Sequence, residues 1–283
     1  MEVPGLLELE PALGPDGEAA VQGGELVVVE RDGTVRFRRQ FDQSQNPLRT
    51  DIGPDGTIYA ISRDGPVALD RDGNELWRAT LPGGVSIHRP VAGPTVGPDG
   101  NIYYAGETEI GFASLTREGD LRWRVMPFGP RRSTNLNEVL FFEGRAIFAD
   151  CCLPLGPGVV ALDTASGDTE WFTPLTGTQR AAQMSNGDIV TGERPPNYTR
   201  LDPASGGIIP IALPFQPTTS TDVAPGPDGI GYSIGSLENV LRIPRAGDIE
   251  VVGRMPFGAT AGAALTPDAG TLVLGLAEDV LPS

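Results

Sequence analysis

The sequence predicts an all-β protein built from seven copies of one small antiparallel sheet, and the main evidence is a repeated pair of turns. A first turn reads GPDG, or a variant of it, seven times: residues 14–17, 53–56, 97–100, 141–144, 184–187, 226–229 and 266–270. A second turn follows each of the first six after 16 to 23 residues, centred on Gly33, Gly73, Gly119, Gly167, Gly206 and Gly247. A unit of roughly 40 residues cannot bury an apolar face alone, so the copies must stack on one another.

Residues 90–129 show how one copy is built. Residues 91–96 enter the first turn as one strand, and residues 101–105 leave it as a second. Residues 111–116 form a third strand and, after an Arg-Glu-Gly-Asp turn, residues 120–125 form a fourth. Four short antiparallel strands joined by tight turns form one blade of a β-propeller.

An aromatic residue recurs four residues after the second-turn glycine in four copies, as Phe37, Trp77, Trp123 and Trp171. All three tryptophans of the chain therefore share one position, and each is predicted to pack between neighbouring blades. The fifth copy has Pro210 there, which predicts a frayed or bulged outer strand because proline cannot donate to a ladder. The sixth copy has Val251 at the same offset.

The copies predict a seven-bladed β-propeller of four-stranded antiparallel blades, formed by residues 1–283 as a single, monomeric domain. The seventh copy stops after its second strand, near Leu274. An open ring would leave an exposed sheet edge, which proteins avoid. We therefore expect Glu2 to Glu10 to complete the seventh blade, so that the ring closes by pairing of the N- and C-terminal segments.

The charge of the chain argues against two classes of partner. Its 37 acidic and 21 basic residues give a net charge of −16, whereas nucleic acids and anionic membranes require a basic face. No stretch approaches the roughly 20 apolar residues of a membrane span. The start, MEVPGLLELEP, does not have the basic-then-apolar order of a signal peptide, which leaves a cytoplasmic protein or a mature domain.

Two segments, ALDRDGNELWR at residues 68–78 and ALDTASGDTEW at residues 161–171, resemble the tryptophan-docking repeat of the quinoprotein, or PQQ-like, β-propellers. That superfamily contains quinone-dependent alcohol dehydrogenases, an outer-membrane assembly lipoprotein and many proteins without known activity. The resemblance thus implies a fold and a bacterial, extracytoplasmic location more than an activity. The GPDG turn is also similar to turns of gluconolactonase-like and NHL-type propellers, which keeps a hydrolase or lyase as an alternative.

The adjacent residues Cys151 and Cys152 follow the predicted second strand of the fourth copy. In quinoprotein alcohol dehydrogenases a vicinal pair forms a disulfide ring against the cofactor. The alternatives are a structural disulfide or two ordinary small residues, since free cysteine packs as a small apolar side chain. Those dehydrogenases are longer and eight-bladed, and their Ca²⁺ ligands have no match in this chain, so we expect no cofactor.

The loops that lead into the first strands of copies two to five form the second candidate site. Their formal charges sum to +2 on a chain of net charge −16. Their arginines, with a histidine and an asparagine, would hold an anionic small molecule or an acidic peptide at one mouth of the propeller channel. These residues are Arg49, His88, Arg89, Arg131, Arg132, Asn135 and Arg180. The alternative is that the arginines only cap carbonyl groups of their own loops.

His88 is the only histidine, so a metal cluster or a base with a histidine partner is not expected. Some propeller lyases that open antibiotic rings rely on histidine and a divalent ion, so an enzymatic function remains an alternative. The GPDG aspartates are predicted to bond the backbone of their own turns rather than a metal. The sequence thus predicts a non-enzymatic module that binds an unidentified protein or a small anion, with a quinoprotein-like oxidoreductase, lactonase or lyase as the alternative.

Overall fold

The computed structural model describes residues 11–23, 25–41, 50–62, 65–79, 92–106, 111–129, 139–150, 153–177, 181–193, 197–211, 223–226, 229–234, 239–245, 247–254, 263–265 and 272–274. Within these ranges the chain forms six four-stranded antiparallel sheets and one two-stranded sheet, numbered here 1 to 7 in chain order. Each four-stranded sheet keeps its strands in chain order, as the predicted blade requires. The all-β class is therefore confirmed.

The chain divides into two compact units, of which the first is Met1–Ala146 with Leu162–Asp168. Sheet 1 consists of β1 (Ala12–Leu13), β2 (Ala19–Gln22), β3 (Glu25–Val29) and β4 (Val35–Gln40). Sheet 2 consists of β5 (Asp51–Ile52), β6 (Ile58–Ser62), β7 (Gly65–Leu69) and β8 (Glu75–Arg78). Sheet 3 consists of β9 (Ala92–Val96), β10 (Ile102–Gly106), β11 (Gly111–Leu115) and β12 (Leu121–Val125).

Sheet 4 consists of β13 (Leu140–Phe142), β14 (Arg145–Asp150), β15 (Gly158–Asp163) and β16 (Thr169–Pro174). The second unit is Ile147–Ala161 with Thr169–Ser283. Sheet 5 consists of β17 (Ala181–Gln183), β18 (Ile189–Glu193), β19 (Asn197–Leu201) and β20 (Ile208–Ile209). Sheet 6 consists of β21 (Val223–Pro225), β22 (Gly231–Ile234), β23 (Asn239–Ile243) and β24 (Glu250–Arg254), and sheet 7 of β25 (Ala263–Leu265) and β26 (Leu272–Leu274).

The middle strands of sheets 2, 3 and 4 are buried on both faces, which explains why their sequences are largely apolar rather than alternating. Every residue of β6, β7 and β11 is buried. Side chains of neighbouring sheets meet in shared cores: Val28 of sheet 1 packs with Ile58 of sheet 2, and Ala68 of sheet 2 packs with Tyr104 of sheet 3. The sheets thus stack through apolar faces that none could bury alone.

The repeated tryptophans join sheet 2 to sheet 3 and sheet 3 to sheet 4, as predicted. The indole N–H of Trp77 donates to the carbonyl of Arg117 at 2.8 Å, and that of Trp123 donates to Thr164 at 2.9 Å. The Trp77 ring lies over Gly119, where a Cβ would stand 2.7 Å from Cδ2. Gly119 has a φ of 93°, so both its backbone and its neighbour require glycine.

The second unit repeats this contact once and then departs from it. Trp171 donates to the carbonyl of Pro203 at 3.2 Å and covers Gly206. In the fifth copy β20 has only two residues and ends before Pro210, so the outer strand is interrupted at the proline, as expected, and its fraying stays a prediction.

The assignment of Val251 to the tryptophan position is wrong, because the β-bulge of the outer strand moves in the sixth copy. In sheet 3 the bulge lies between Ser114 and Leu115, and Trp123 pairs with Ser114. In sheet 6 the register shift lies earlier along the third strand, so Val251 pairs with Leu241 and is 48% exposed.

The seventh copy has two strands among the described residues, as the sequence predicts. The segments expected to complete it, including Glu2 to Glu10, lie outside the described residues. Seven blades and a ring closed by the two ends therefore stay a prediction.

Candidate functional site

The two ends of each four-stranded sheet differ in what they carry. The first and second turns, which join the first strand to the second and the third to the fourth, lie at one end, here called the turn end. The connection from the second strand to the third leaves the opposite end, as do the segments that join one sheet to the next. This opposite end is called the loop end.

The sequence places every candidate site residue in a loop-end segment, and all of them lie outside the described residues. They are Arg49, His88, Arg89, Arg131, Arg132, Asn135, Cys151, Cys152 and Arg180. The nearest described neighbours are Thr50, which follows Arg49, and Asp150, which precedes Cys151 and is fully buried at the end of β14. The arginine site and the cysteine pair therefore stay predictions.

Two described polar side chains of the first unit hold neighbouring sheets together, Asp51 just before the first turn of sheet 2 and Gln22 at the loop end of sheet 1. Asp51 accepts hydrogen bonds from the backbone N–H groups of Ile52 at 2.8 Å and of Val96, in sheet 3, at 2.7 Å. The buried Gln22 of sheet 1 donates to the carbonyl of Ile61 and accepts from its N–H. Asp51 ends the segment that leads into the first strand of the second copy, and its carboxylate is bonded to backbone groups of sheets 2 and 3.

Two of the GPDG aspartates, Asp55 and Asp99, bond their own turns, as the sequence predicts, whereas Asp228 lies outside the described residues. Asp55 accepts from the N–H of Thr57 at 3.1 Å and from its hydroxyl at 2.9 Å, and it pairs with Arg117 of the next sheet. Partial burial acts to raise the pKa of Asp55, but these bonds and the arginine hold it below its ordinary value. Asp16 pairs with Arg71 in the same way, at 2.5 Å. These carboxylates stabilise contacts between sheets.

An acid and an arginine lie side by side near the first turn of sheets 1, 3 and 5, an arrangement that the sequence did not predict. The pairs are Glu18 Oε1 with Arg36 Nη1 at 4.0 Å, Asp99 Oδ2 with Arg122 Nη1 at 3.5 Å, and Asp188 Oδ2 with Arg200 Nε at 3.8 Å. Desolvation lowers the pKa of Arg200, which is fully buried, while Asp188 acts to raise it.

One sequence signal could have identified this arginine. In the aligned copies TRLD and VALD, Arg200 stands where Ala68 and Ala161 stand. A charged residue at an otherwise small, buried position indicates a polar contact inside the sheet stack.

Tyr103 completes the pair of sheet 3. Its hydroxyl donates to Asp99 Oδ2 at 2.7 Å and accepts from Arg122 Nη1 at 3.3 Å. Burial, together with the hydrogen bond to Asp99, raises the pKa of Tyr103 to about 12, so the phenol stays protonated and remains a donor.

The described ranges contain neither a metal-ligand cluster nor a membrane-spanning helix. No group of three or more histidine, cysteine, aspartate or glutamate side chains there is arranged to hold a metal ion. No helix in the same part of the chain has the length and apolar character needed to cross a membrane.

Sequence comparison relates the chain to a family of envelope proteins. The family model described as outer membrane protein assembly factor BamB matches residues 6–210. The chain is 30% identical over 152 residues to outer membrane protein assembly factor BamB of Burkholderia pseudomallei strain K96243. That match covers 51% of this chain and 36% of the relative, so the chain matches only about a third of the relative's length.

Solved structures with the same fold include enzymes and an assembly factor. A streptogramin B lyase has a TM-score of 0.70 at 14% identity, covering 98% of this chain and 92% of that chain. BamB from Moraxella catarrhalis has a TM-score of 0.62 at 12% identity, covering 91% and 76%. A catalytically inactive virginiamycin B lyase from Staphylococcus aureus with quinupristin has a TM-score of 0.68 at 13% identity, covering 93% and 90%. At these identities the likeness shows the β-propeller fold alone.

The family match includes the copies that carry the docking aromatics from Phe37 to Trp171 and ends at Pro210, where the repeated tryptophan stops. The chain therefore belongs to the PQQ-like β-propeller family whose model is described as outer membrane protein assembly factor BamB.

Proposed function

We propose that the chain is a non-enzymatic binding module that holds an acidic peptide segment of a partner protein, or a small anion, at its arginine-bearing loops. The observation that carries this proposal is the family match over residues 6–210, whose description is that of an assembly factor rather than of an enzyme. An extracytoplasmic location, as for an envelope assembly factor, belongs to the same proposal.

The charges of the described residues support a binding site at the loops rather than at the turn end. At the turn end, Asp55 pairs with Arg117 and Asp16 with Arg71. Charged groups in these pairs are compensated, so they attract a charged ligand weakly. The loop segments have the opposite balance, since their formal charges sum to +2 on a chain of net charge −16. An anionic partner is therefore attracted to the loops and repelled by the rest of the surface.

The test is a titration of the chain into a fluorescein-labelled decaglutamate peptide, followed by fluorescence anisotropy at low and at physiological salt. Arg131→Gln with Arg132→Gln is expected to weaken binding at least tenfold, because even one lost bond to a charged acceptor is worth roughly 1.5 to 3 kcal/mol. Binding should also weaken as salt rises.

The matched control is Arg38→Gln with Arg71→Gln, which removes the same charge from a sheet edge and from the turn end. Arg38 is exposed beside Glu25, and Arg71 beside Asp16. The control should bind the peptide as the unchanged chain does. Equal losses in both double variants, or no binding by the unchanged chain, would contradict a site at the loops.

The alternative of a propeller enzyme is supported only by the fold. The streptogramin B and virginiamycin B lyases share 14% and 13% identity with this chain. Incubation of the chain with quinupristin and Mg²⁺, followed by mass spectrometry, separates the two functions. We expect no change in the mass spectrum of quinupristin. Opening of its ring by the unchanged chain, lost on substitution of His88, would contradict the binding proposal and show a lyase.

A further inference from the structure

Sheet 1 contains a buried acid and a buried arginine nitrogen that face each other without a hydrogen bond. Glu18 is 1% exposed, and its Oε2 accepts the N–H of Asp16 at 2.9 Å. Arg36 forms a fork with Glu30 through Nε and Nη2. The remaining atoms, Glu18 Oε1 and Arg36 Nη1, lie 4.0 Å apart, and neither has a protein partner among the described residues.

The repeat supplies an internal comparison for this pair. Arg36 and Arg122 are both the third residue after the second-turn glycine of their copies. In sheet 3 the Tyr103 hydroxyl lies between the arginine and the acid, accepting from one and donating to the other. The residue at that position in sheet 1 is Ala20, three residues after the first-turn glycine, and its side chain ends at Cβ.

Sheet 5 also lacks a tyrosine at this position, and its buried arginine comes from the third strand rather than the fourth. Val190 stands at the tyrosine position, and its cross-strand partner is the fully buried Arg200. Nη2 of Arg200 donates to the carbonyl of Gly229 at 2.6 Å, whereas Nε and Nη1 have no protein partner in the described part of the chain. Asn186, which packs against Gly229, has an equally unpartnered buried Oδ1.

We propose that sheets 1 and 5 each bind an interior water molecule, which takes the part that the Tyr103 hydroxyl plays in sheet 3. Buried polar atoms without protein partners are where structural water is held, provided that two or more such groups converge. In sheet 1 a water oxygen about 2.9 Å from both Glu18 Oε1 and Arg36 Nη1 joins them at an angle of roughly 90°.

The two faces of the site in sheet 1 select a neutral molecule that both donates and accepts. An anion would lie against the Glu18 carboxylate, and a cation would lie against the Arg36 guanidinium. Water donates to the carboxylate and accepts from the guanidinium, as the tyrosine hydroxyl does. In sheet 5 water accepts from Arg200 and donates to Asn186.

The first experiment counts long-lived interior water in the unchanged chain by ¹⁷O magnetic relaxation dispersion and locates it in a high-resolution crystal structure. Density is expected within hydrogen-bond distance of Glu18 Oε1 and Arg36 Nη1, and of Arg200 Nε or Nη1. Well-ordered polar atoms with no density beside them would overturn the proposal.

A pair of variants tests the site of sheet 1 against simple repacking. Ala20→Tyr with Val28→Ala recreates the tyrosine and alanine pairing of Tyr59 with Ala68 in sheet 2. It should lose one long-lived water and keep its folding equilibrium constant, because the phenol takes over both bonds. Ala20→Phe with Val28→Ala excludes the water without replacing those bonds, so its folding constant should be about tenfold lower. Equal stability of the two variants would contradict the site in sheet 1.

The site of sheet 5 is tested separately with Arg200→Met, which keeps most of the side-chain length and removes the donors. One long-lived water should be lost, with sheet 1 unaffected. An unchanged water count in this variant would refute the sheet 5 site, and the crystal structure of the unchanged chain decides the matter if the variant does not fold.

Discussion

At the scale of single residues, polar groups inside the stack join one sheet to the next. Gln22 is 1% exposed and contacts both the N–H and the carbonyl of Ile61 in the neighbouring sheet. The amide thus pairs with the backbone of the neighbouring sheet as a strand of a β-ladder does. A side chain with one donor and one acceptor is required to do this.

Gln22→Met should destabilise the chain by about 1 to 3 kcal/mol, because it removes two buried hydrogen bonds at nearly constant volume. Urea unfolding followed by tryptophan fluorescence measures the change. Gln40→Met, at an exposed position of β4, is the control and should be nearly neutral. A loss equal to that of the control would show that the bonds to Ile61 do not stabilise the stack.

Asp99 makes stability depend on pH in a defined direction. Partial burial acts to raise its pKa, but bonds from Asn101 and Tyr103 and the charge of Arg122 lower it below the ordinary value. A lowered folded-state pKa gives stability that is complete above the unfolded value of about 3.9 and lost as pH falls through the folded value. Asp99 therefore contributes to acid unfolding.

In Asp99→Asn, the free energy of unfolding should be lower at pH 7 and should change less between pH 5 and pH 2. Urea unfolding at a series of pH values measures both effects. Asp72→Asn is the control, since its exposed carboxylate accepts no described hydrogen bond. Parallel pH curves for the unchanged chain and Asp99→Asn would refute the assignment.

The partners of buried polar residues such as Glu18, Gln22 and Arg200 could not be predicted from the sequence. The turns and docking aromatics recur in several copies, so their position could be predicted from spacing. Each buried polar residue occurs at its position in only one or two copies, and polar residues are ordinarily exposed. Only the neighbour across the sheet reveals the partner that makes such burial possible.

At the scale of strands, the outer strand of each sheet is the element that varies most. The β4, β8 and β12 strands each contain a register shift opposite the third strand, at the same offset from the second-turn glycine. The same offset identified Trp77 and Trp123 correctly from the sequence. It failed for Val251, because a bulge that moves along the strand changes the facing residue without changing the count from the glycine.

Among the outer strands of the six complete sheets, β20 should be the least stable. It has two residues, its Ile208 is 58% exposed, and Pro210 prevents its extension. Hydrogen exchange measured by mass spectrometry should therefore show faster exchange for peptides covering residues 208–209 than for those covering β12, which packs through Trp123. Equal protection of the two strands would contradict a frayed edge.

At the scale of the whole chain, the repeat predicts one domain whose ends pair with each other. The described residues form six complete sheets and the two strands of sheet 7, so a seventh complete blade stays a prediction. Closure involves Glu2 to Glu10, outside the described residues, and stays a prediction. Deletion of residues 2–10 should lower the melting temperature measured by calorimetry, because an unpaired sheet edge remains. A chain that melts unchanged after this deletion does not close in this way.

The candidate site was less predictable than the fold for a physical reason. Turn glycines and docking tryptophans are constrained by backbone angles and packing that recur in each copy. The loops that carry Arg49, His88 and Arg131 differ in length and sequence from copy to copy, so composition gives their charge but no repeat fixes their conformation. The arginine site therefore depends on the peptide titration.

The most direct test of sheet stacking through an aromatic ring on glycine is a double-mutant cycle between Trp77 and Gly119. Gly33 and Gly119 both have positive φ, but a Cβ at Gly33 meets no atom within 4 Å. Gly33→Ala should therefore cost about 1 to 2 kcal/mol from the backbone alone. Gly119→Ala should cost about 1 to 3 kcal/mol more in urea unfolding, because its methyl group overlaps the indole. In a Trp77→Leu background that excess should largely disappear, whereas an excess that persists unchanged, or equal costs at Gly33 and Gly119, would contradict the packing.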